Sequence, residues 1–178
     1  PAGLGLMKDI QDLGINTVND VRVVDVYWLD AYLAPEKVEY IARELLADTV
    51  TQDYHIDSNT TQEDTAKGYK IVEVAYNAGV TDPVRDSVMK AIRDMDVINV
   101  RDVAIAKRYL IRGEISQEDL DKVSSRLLMN PIVQHVVDEE LNQFPENPQY
   151  IFEYIKVPFI EASLDDLEKA RKQFGFSN

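Results

Sequence analysis

Cysteine is absent from the 178-residue chain, tryptophan occurs once and histidine twice. Without cysteine there is no disulfide framework, no Cys-ligated zinc, no iron–sulfur cluster and no thiol nucleophile. That composition fits a cytoplasmic protein. Basic residues are scarce: 19 Lys+Arg stand against 32 Asp+Glu, a formal net charge of −13. A nucleic-acid partner is not expected, because neutralising phosphates takes clustered Lys and Arg. Long apolar runs are missing too. None approaches the roughly 20 residues that span a bilayer, so no membrane partner is expected. The opening stretch, residues 1–6, has no basic region and does not read as a signal peptide. What is present is enough apolar material for a core, 45% of residues. At roughly 100–200 residues per domain, the length allows one medium domain or two small ones.

The chain contains a repeat. A shift of 82 positions aligns residues 1–54 with 83–136 without a gap. Met7-Lys8 falls on Met89-Lys90, Ile10 on Ile92, Asp20-Val21 on Asp102-Val103, Tyr27 on Tyr109 and Leu45-Leu46 on Leu127-Leu128. One register over such a span points to two copies of one unit.

Both copies share an order of elements. Residues 71–76 alternate as a strand, with Val72, Val74 and Tyr76 on one face. Asp82-Pro83 opens a helix, Asp as N-cap and Pro at the first helical position. Val84, Val88, Ile92 and Met95 form its apolar stripe, repeated by Ala2, Leu6, Ile10 and Leu13. A β-rich run follows, residues 21–29 in copy one and 103–111 in copy two. One face carries Val21, Val23, Tyr27 and Leu29, matched by Val103, Ile105, Tyr109 and Ile111. The other face is also largely apolar in copy one (Val24, Val26, Trp28), which calls for cover on both sides. Helices are expected on one face and the partner repeat over part of the other. A second helix starts at Pro35 in copy one and at the capping-box-like Ser116-Gln117-Glu118-Asp119 in copy two. Each copy is expected to close with a short strand, residues 49–56 and 131–137. The fold class is therefore α+β: two tandem β-α-β-α-β units with helices packed on antiparallel sheets. Residues 57–68 are almost devoid of apolar side chains and read as a linker. A C-terminal strand (150–155) and a helix from Ser163 to Gly175 complete the chain. Copy one lacks the first strand and the capping Asp of copy two, so the sequence is expected to be a piece of a longer protein.

Three segments taken together carry a family resemblance. They are Gly79-Val80-Thr81-Asp82-Pro83, Val100-Arg101-Asp102-Val103 and Asn130-Pro131-Ile132-Val133-Gln134. In this order they resemble the small PurS subunit of phosphoribosylformylglycinamidine synthase, the glutamine-dependent fourth step of purine synthesis. Arg85 stands where the family often has Gly, a glycine that Gly3 keeps in copy one, and Thr49 replaces the proline equivalent to Pro131. The tandem form, with 155–158, 164–167 and 174–177, is similar to the N-terminal region of large synthase chains. On that resemblance, residues 1–57 are unit one with its first strand missing, 58–68 a linker, 69–138 unit two, and 139–178 a connecting segment toward a catalytic region. The resemblance implies a non-catalytic assembly module bridging a synthetase domain and a glutaminase subunit. It assigns no catalytic, cofactor-binding or metal-binding residue to this sequence. ATP and magnesium are implied for the parent synthase only, and a homo-oligomer is compatible.

The residues themselves offer little chemistry. No P-loop, G-x-G-x-x-G, G-x-S-x-G or H-E-x-x-H is present. His55 and His135 are not repeat-equivalent and would need carboxylate co-ligands to hold a metal. Glu139-Glu140 and Asp165-Asp166 read as solvated acids near a linker or a helix start. Trp28, Tyr27 and Tyr109 lie on strands and are expected in a core or an inter-repeat interface. Asp25 and Lys107 occupy one repeat position with opposite charge. Either they approach across a pseudo-twofold as an ion pair, or both point to solvent at a strand edge. The competing functional reading is a ligand-sensing regulatory module binding amino acids between the repeats.

Overall fold

The computed structural model describes residues 2–56 and 61–137. The elements run α1 (Ala2–Asp12), β1 (Val18–Ala31), α2 (Pro35–Ile41), α3 (Thr61–Ala66), β2 (Tyr69–Tyr76), α4 (Pro83–Asp94), β3 (Val100–Gly113), α5 (Gln117–Val123) and β4 (Gln134–Val136). The 82-residue offset carries α1 onto α4, β1 onto β3 and α2 onto α5. The α2 and α5 helices both end in a π-helical turn, Ala42–Leu46 and Ser124–Leu128. The expected C-terminal strand (150–155) and helix (163–175) lie outside the described residues, as do Glu139, Glu140, Asp165 and Asp166.

Local chemistry sets the helix starts. The Asp82 carboxylate accepts from the N–H groups of Val84 and Arg85, at 2.9 and 3.3 Å, and Pro83 takes the first helical position. The Ser116 hydroxyl oxygen accepts from Asp119 N–H at 3.0 Å and donates to the Asp119 carboxylate at 2.8 Å. At α2 the cap residue is Ala34, whose side chain caps nothing, and Pro35 fixes the start alone. In α4 the buried face is Val88, Met89 and Ile92. Val84, expected in the stripe, is half exposed, whereas Met89, which the stripe did not include, is buried.

Four strands form one antiparallel sheet in the order β1-β3-β2-β4. The copies join edge to edge through β1 and β3, so the partner repeat does not cover the second sheet face as expected from sequence. The long strands are apolar on one face and pair side by side, which satisfies their backbone groups along the seam.

The helices then exchange between copies. One core sets Ile10 of α1 and Leu120 and Val123 of α5 against Val21, Val72, Val74 and Ile111. The other sets Ile41 of α2 and Val88, Met89 and Ile92 of α4 against Val103, with Tyr27, Leu29 and Ile105 packed on it. Each core thus takes its first helix from one copy and its second from the other. Both cores lie on the same sheet face.

Two further expectations from sequence differ from the structure. The polar stretch 57–68 contains α3, stabilised by ion pairs of Lys67 with Glu63 and Asp64, both at 3.8 Å, and ended at Gly68 with φ +84°. Copy one has no closing strand in 49–56. Thr49–Thr51 form a turn, and 52–55 have no regular secondary structure and carry no ladder. The equivalent β4 pairs with β2, and among the described residues the segment has no such neighbour to make it a strand.

Candidate functional site

Strand register defines the centre of the two-copy sheet. Since β1 and β3 run antiparallel, the 82-residue offset maps one cross-strand pair onto itself: Asp25 opposite Lys107. A pseudo-twofold axis between the copies passes through this pair. Lys107 Nζ lies 3.2 Å from Asp25 Oδ1, with the side chains 52% and 38% exposed. Burial alone would depress the Lys107 pKa, but the hydrogen bond and charge of Asp25 outweigh it and hold the pKa above its ordinary value. A pair this exposed contributes at most about 1 kcal/mol. Its position makes it a register marker for the two copies.

Tyr27 and Tyr109 flank the pair and are each other's repeat equivalents. Both are partly buried, and both phenol pKa values are raised, chiefly by burial and further by the Asp25 carboxylate, against the opposing Lys107 charge. The Tyr109 hydroxyl donates to Leu128 O at 3.3 Å. Tyr27 packs on the α2/α4 core and Tyr109 on the α1/α5 core. The seam therefore brings together Asp25, Lys107, Tyr27 and Tyr109. The lysine and both tyrosines are shifted upward, away from neutral pH, which suits a structural seam better than general acid–base work.

Trp28 is not part of this group, because alternation along β1 sends it to the opposite face. There it follows Val24 and Val26, and none of the three belongs to either core. The Trp28 indole N–H is buried without an acceptor among the described residues.

A second cluster was not legible in the sequence. Asp20, Arg22, Tyr69 and Arg112 meet at the far end of that same face. Both guanidinium groups stack over the Tyr69 ring, each 5.1 Å from its centroid, and the Tyr69 hydroxyl donates to Asp20. That hydrogen bond is the main cause lowering the Asp20 pKa, opposed by burial and assisted by the two arginines. Only the register of β1, β3 and β2 juxtaposes these residues, and no spacing in the sequence signals it. Nearby, Thr17, Asn19, Gly68, Arg112, Gly113 and Glu114 line an open groove of about 470 Å³.

The histidines stand apart from any cluster. His135 sits on β4 with Nδ1 3.0 Å from Asn77 Oδ1, and His55 is exposed in the unpaired stretch 52–55. Among the described residues no three His, Asp or Glu side chains are grouped to hold a metal. These residues therefore do not fit the magnesium that the resemblance implies for the parent synthase.

A family model described as PurS, Phosphoribosylformylglycinamidine (FGAM) synthase, matches residues 1–60 and 70–139, well over half of the chain. The chain belongs to the PurS family. The two matched segments follow the two copies of the repeat, and each carries one of the dyad-related tyrosines. Membership ties this PurS chain to FGAM synthase and so to purine biosynthesis. No curated protein matches it. Among the described residues no helix is long and apolar enough to cross a membrane.

Proposed function

We propose that this PurS chain is a non-catalytic assembly module of FGAM synthase, bridging the synthetase domain and the glutaminase. The family match over both copies carries this reading. The architecture supports it: two copies share one sheet and two exchanged cores, a rigid platform with two related sides. A bridge needs two faces held in fixed relation, and a pseudo-twofold body offers related surfaces to two partners. ATP and magnesium, in this reading, bind the synthetase, and the protein works in the cytoplasm.

Reconstitution tests the reading. The chain is combined with the synthetase and the glutaminase of its own system, and turnover is followed with glutamine or with free ammonia as nitrogen donor. Omitting the chain is expected to abolish glutamine-dependent turnover while leaving ammonia-dependent turnover largely intact. Turnover by the chain alone, or glutamine-dependent turnover indifferent to its removal, would refute the proposal.

A further inference from the structure

Two turns of the molecule repeat each other bond for bond. Residues 48–52 follow the second helix of copy one, and the 82-residue offset carries them onto 130–134 in copy two. In each, the side chain of the first residue accepts from the N–H of the third: Val50 donates to Asp48 Oδ1 at 3.0 Å, and Ile132 to Asn130 Oδ1 at 3.1 Å. In each, the first N–H donates to a glutamine Oε1 four residues on, Asp48 to Gln52 at 2.9 Å and Asn130 to Gln134 at 2.8 Å. The backbone closes both in the same way, with Gln52 N–H on Asp48 O at 2.7 Å and Gln134 N–H on Asn130 O at 2.8 Å. Side-chain acceptors of this kind are what fix a turn, so one shape is kept although Thr49 and Pro131 differ.

Each turn holds a β-branched aliphatic side chain out in solvent: Val50 is 90% exposed and Ile132 83%. Single exposed apolar side chains are ordinary on a protein surface. Leu4, Tyr32 and Ile98 are of that kind, since their repeat equivalents are Asp86, Glu114 and Asn16. Val50 and Ile132 are instead each other's equivalents. Their side chains take no part in the bonds that hold the turns, so the fold itself asks for nothing apolar at either tip. The flanks differ between the copies. Asp48 and Asp53, both exposed, stand beside Val50, and their equivalents beside Ile132 are Asn130 and His135. The Thr51 hydroxyl and the Val50 N–H, both donating to the Asp48 carboxylate, lower its pKa and keep it charged.

We propose that the two turns are docking knobs, each inserting its aliphatic tip into an apolar socket on a different partner protein, the Val50 socket rimmed by basic side chains and the Ile132 socket by uncharged polar ones. This rests on the bridging reading above and gives each of its two partners one knob. A tip on a preformed turn loses little freedom on docking, so its burial goes into affinity. The shared tip explains why the turn is repeated. The unshared flank explains how two partners tell the copies apart, since charge around a contact sets its specificity more than its strength. A second copy of this chain is the poorer occupant, because its net charge of −13 opposes self-association at an acidic flank.

The test measures dissociation constants of the full chain for the synthetase and for the glutaminase of its own system, each offered separately. Val50→Ser is expected to weaken one partner by about tenfold or more and leave the other unchanged, and Ile132→Ser to do the reverse. Circular dichroism of both variants should match the unaltered chain, because the tips are exposed and outside the bonds of the turns. Asparagine already builds this turn at position 130, so Asp48→Asn with Asp53→Asn keeps its shape and removes only charge. That change should weaken the Val50 partner several-fold at low salt, by a factor that shrinks as salt is raised. An unaltered chain that binds neither subunit refutes the bridging reading, and this proposal with it. Binding that is intact but indifferent to both tip variants, or weakened by both toward the same subunit, overturns the proposal alone. Indifference to the loss of the two carboxylates overturns the basic rim.

Discussion

At position 3 the two copies differ by the smallest and one of the largest side chains. A Cβ built on Gly3 would fall 2.0 Å from the carbonyl oxygen of Val21, so α1 lies against the backbone of β1. The equivalent Arg85 extends instead to Asp102, with Nη2 2.6 Å from Oδ1, and forms an ion pair between α4 and β3. Gly3→Ala must push α1 off the sheet, and a loss of about 1–3 kcal/mol is expected, the usual cost of overpacking. Gly5 is the control, since a Cβ there meets nothing within 4 Å. Gly5→Ala should gain roughly 0.5–1 kcal/mol through helix propensity. Urea unfolding of both variants checks this; equal effects would show that helix propensity and not contact with β1 governs position 3. The same scale explains the exit from each first helix. Gly14 with φ +88° and Asp96 with φ +54° are repeat equivalents, and both turn the chain through the left-handed conformation that ends a helix.

Among the elements, the β2–β3 pairing depends on a charged contact on the face away from both cores. Arg108 Nε and Glu73 Oε2 lie 2.7 Å apart, and the side chains are only 16% and 12% exposed. Removing one partner strands a nearly buried charge. Arg108→Ala is expected to lose about 3 kcal/mol or more, whereas the double change Glu73→Val with Arg108→Val should be near neutral or stabilising. Thermal unfolding of the single and double variants distinguishes this from a solvated pair, for which both changes would be small. The elements themselves were largely legible in the sequence: Asp82-Pro83 and Ser116 start helices where their chemistry says they should, and the long strands fall on residues 21–29 and 103–111 as expected. Elements that depend on a distant neighbour were not legible. Residues 49–56 read as a short strand but have no paired neighbour among the described residues, whereas α3 forms in a stretch without an apolar stripe, with Lys67 ion-paired to Glu63 and Asp64 and Gly68 ending it. The π-helical turns left no recognised signal, since Leu45-Leu46 and Leu127-Leu128 fit the apolar side of an ordinary helix equally well.

For the whole molecule, the repeat announced two units but not how they combine. Local patterns are identical whether a helix lies beside the other helix of its own copy or beside a helix of the partner copy, and only the β1–β3 register decides. That register places Asp25 opposite Lys107 and brings α1 beside α5 and α2 beside α4. Neither half then owns a core. Ile10 needs Leu120 and Val123, Ile41 needs Val88 and Ile92, and all six are buried. The apolar surface that each half would expose alone is that of half a core, which cannot offset the conformational entropy of ordering its chain. A chain divided after residue 58 should therefore give two fragments, 1–58 and 59–178, that each lack cooperative unfolding. Mixed in equal amounts, they should regain a single cooperative transition whose midpoint rises with concentration, because folding has become association. Circular dichroism and amide dispersion report both states. A fragment that unfolds cooperatively alone would mean that its two helices can pair with each other on their own strands, and the exchanged helix pairing would then be one of two available packings.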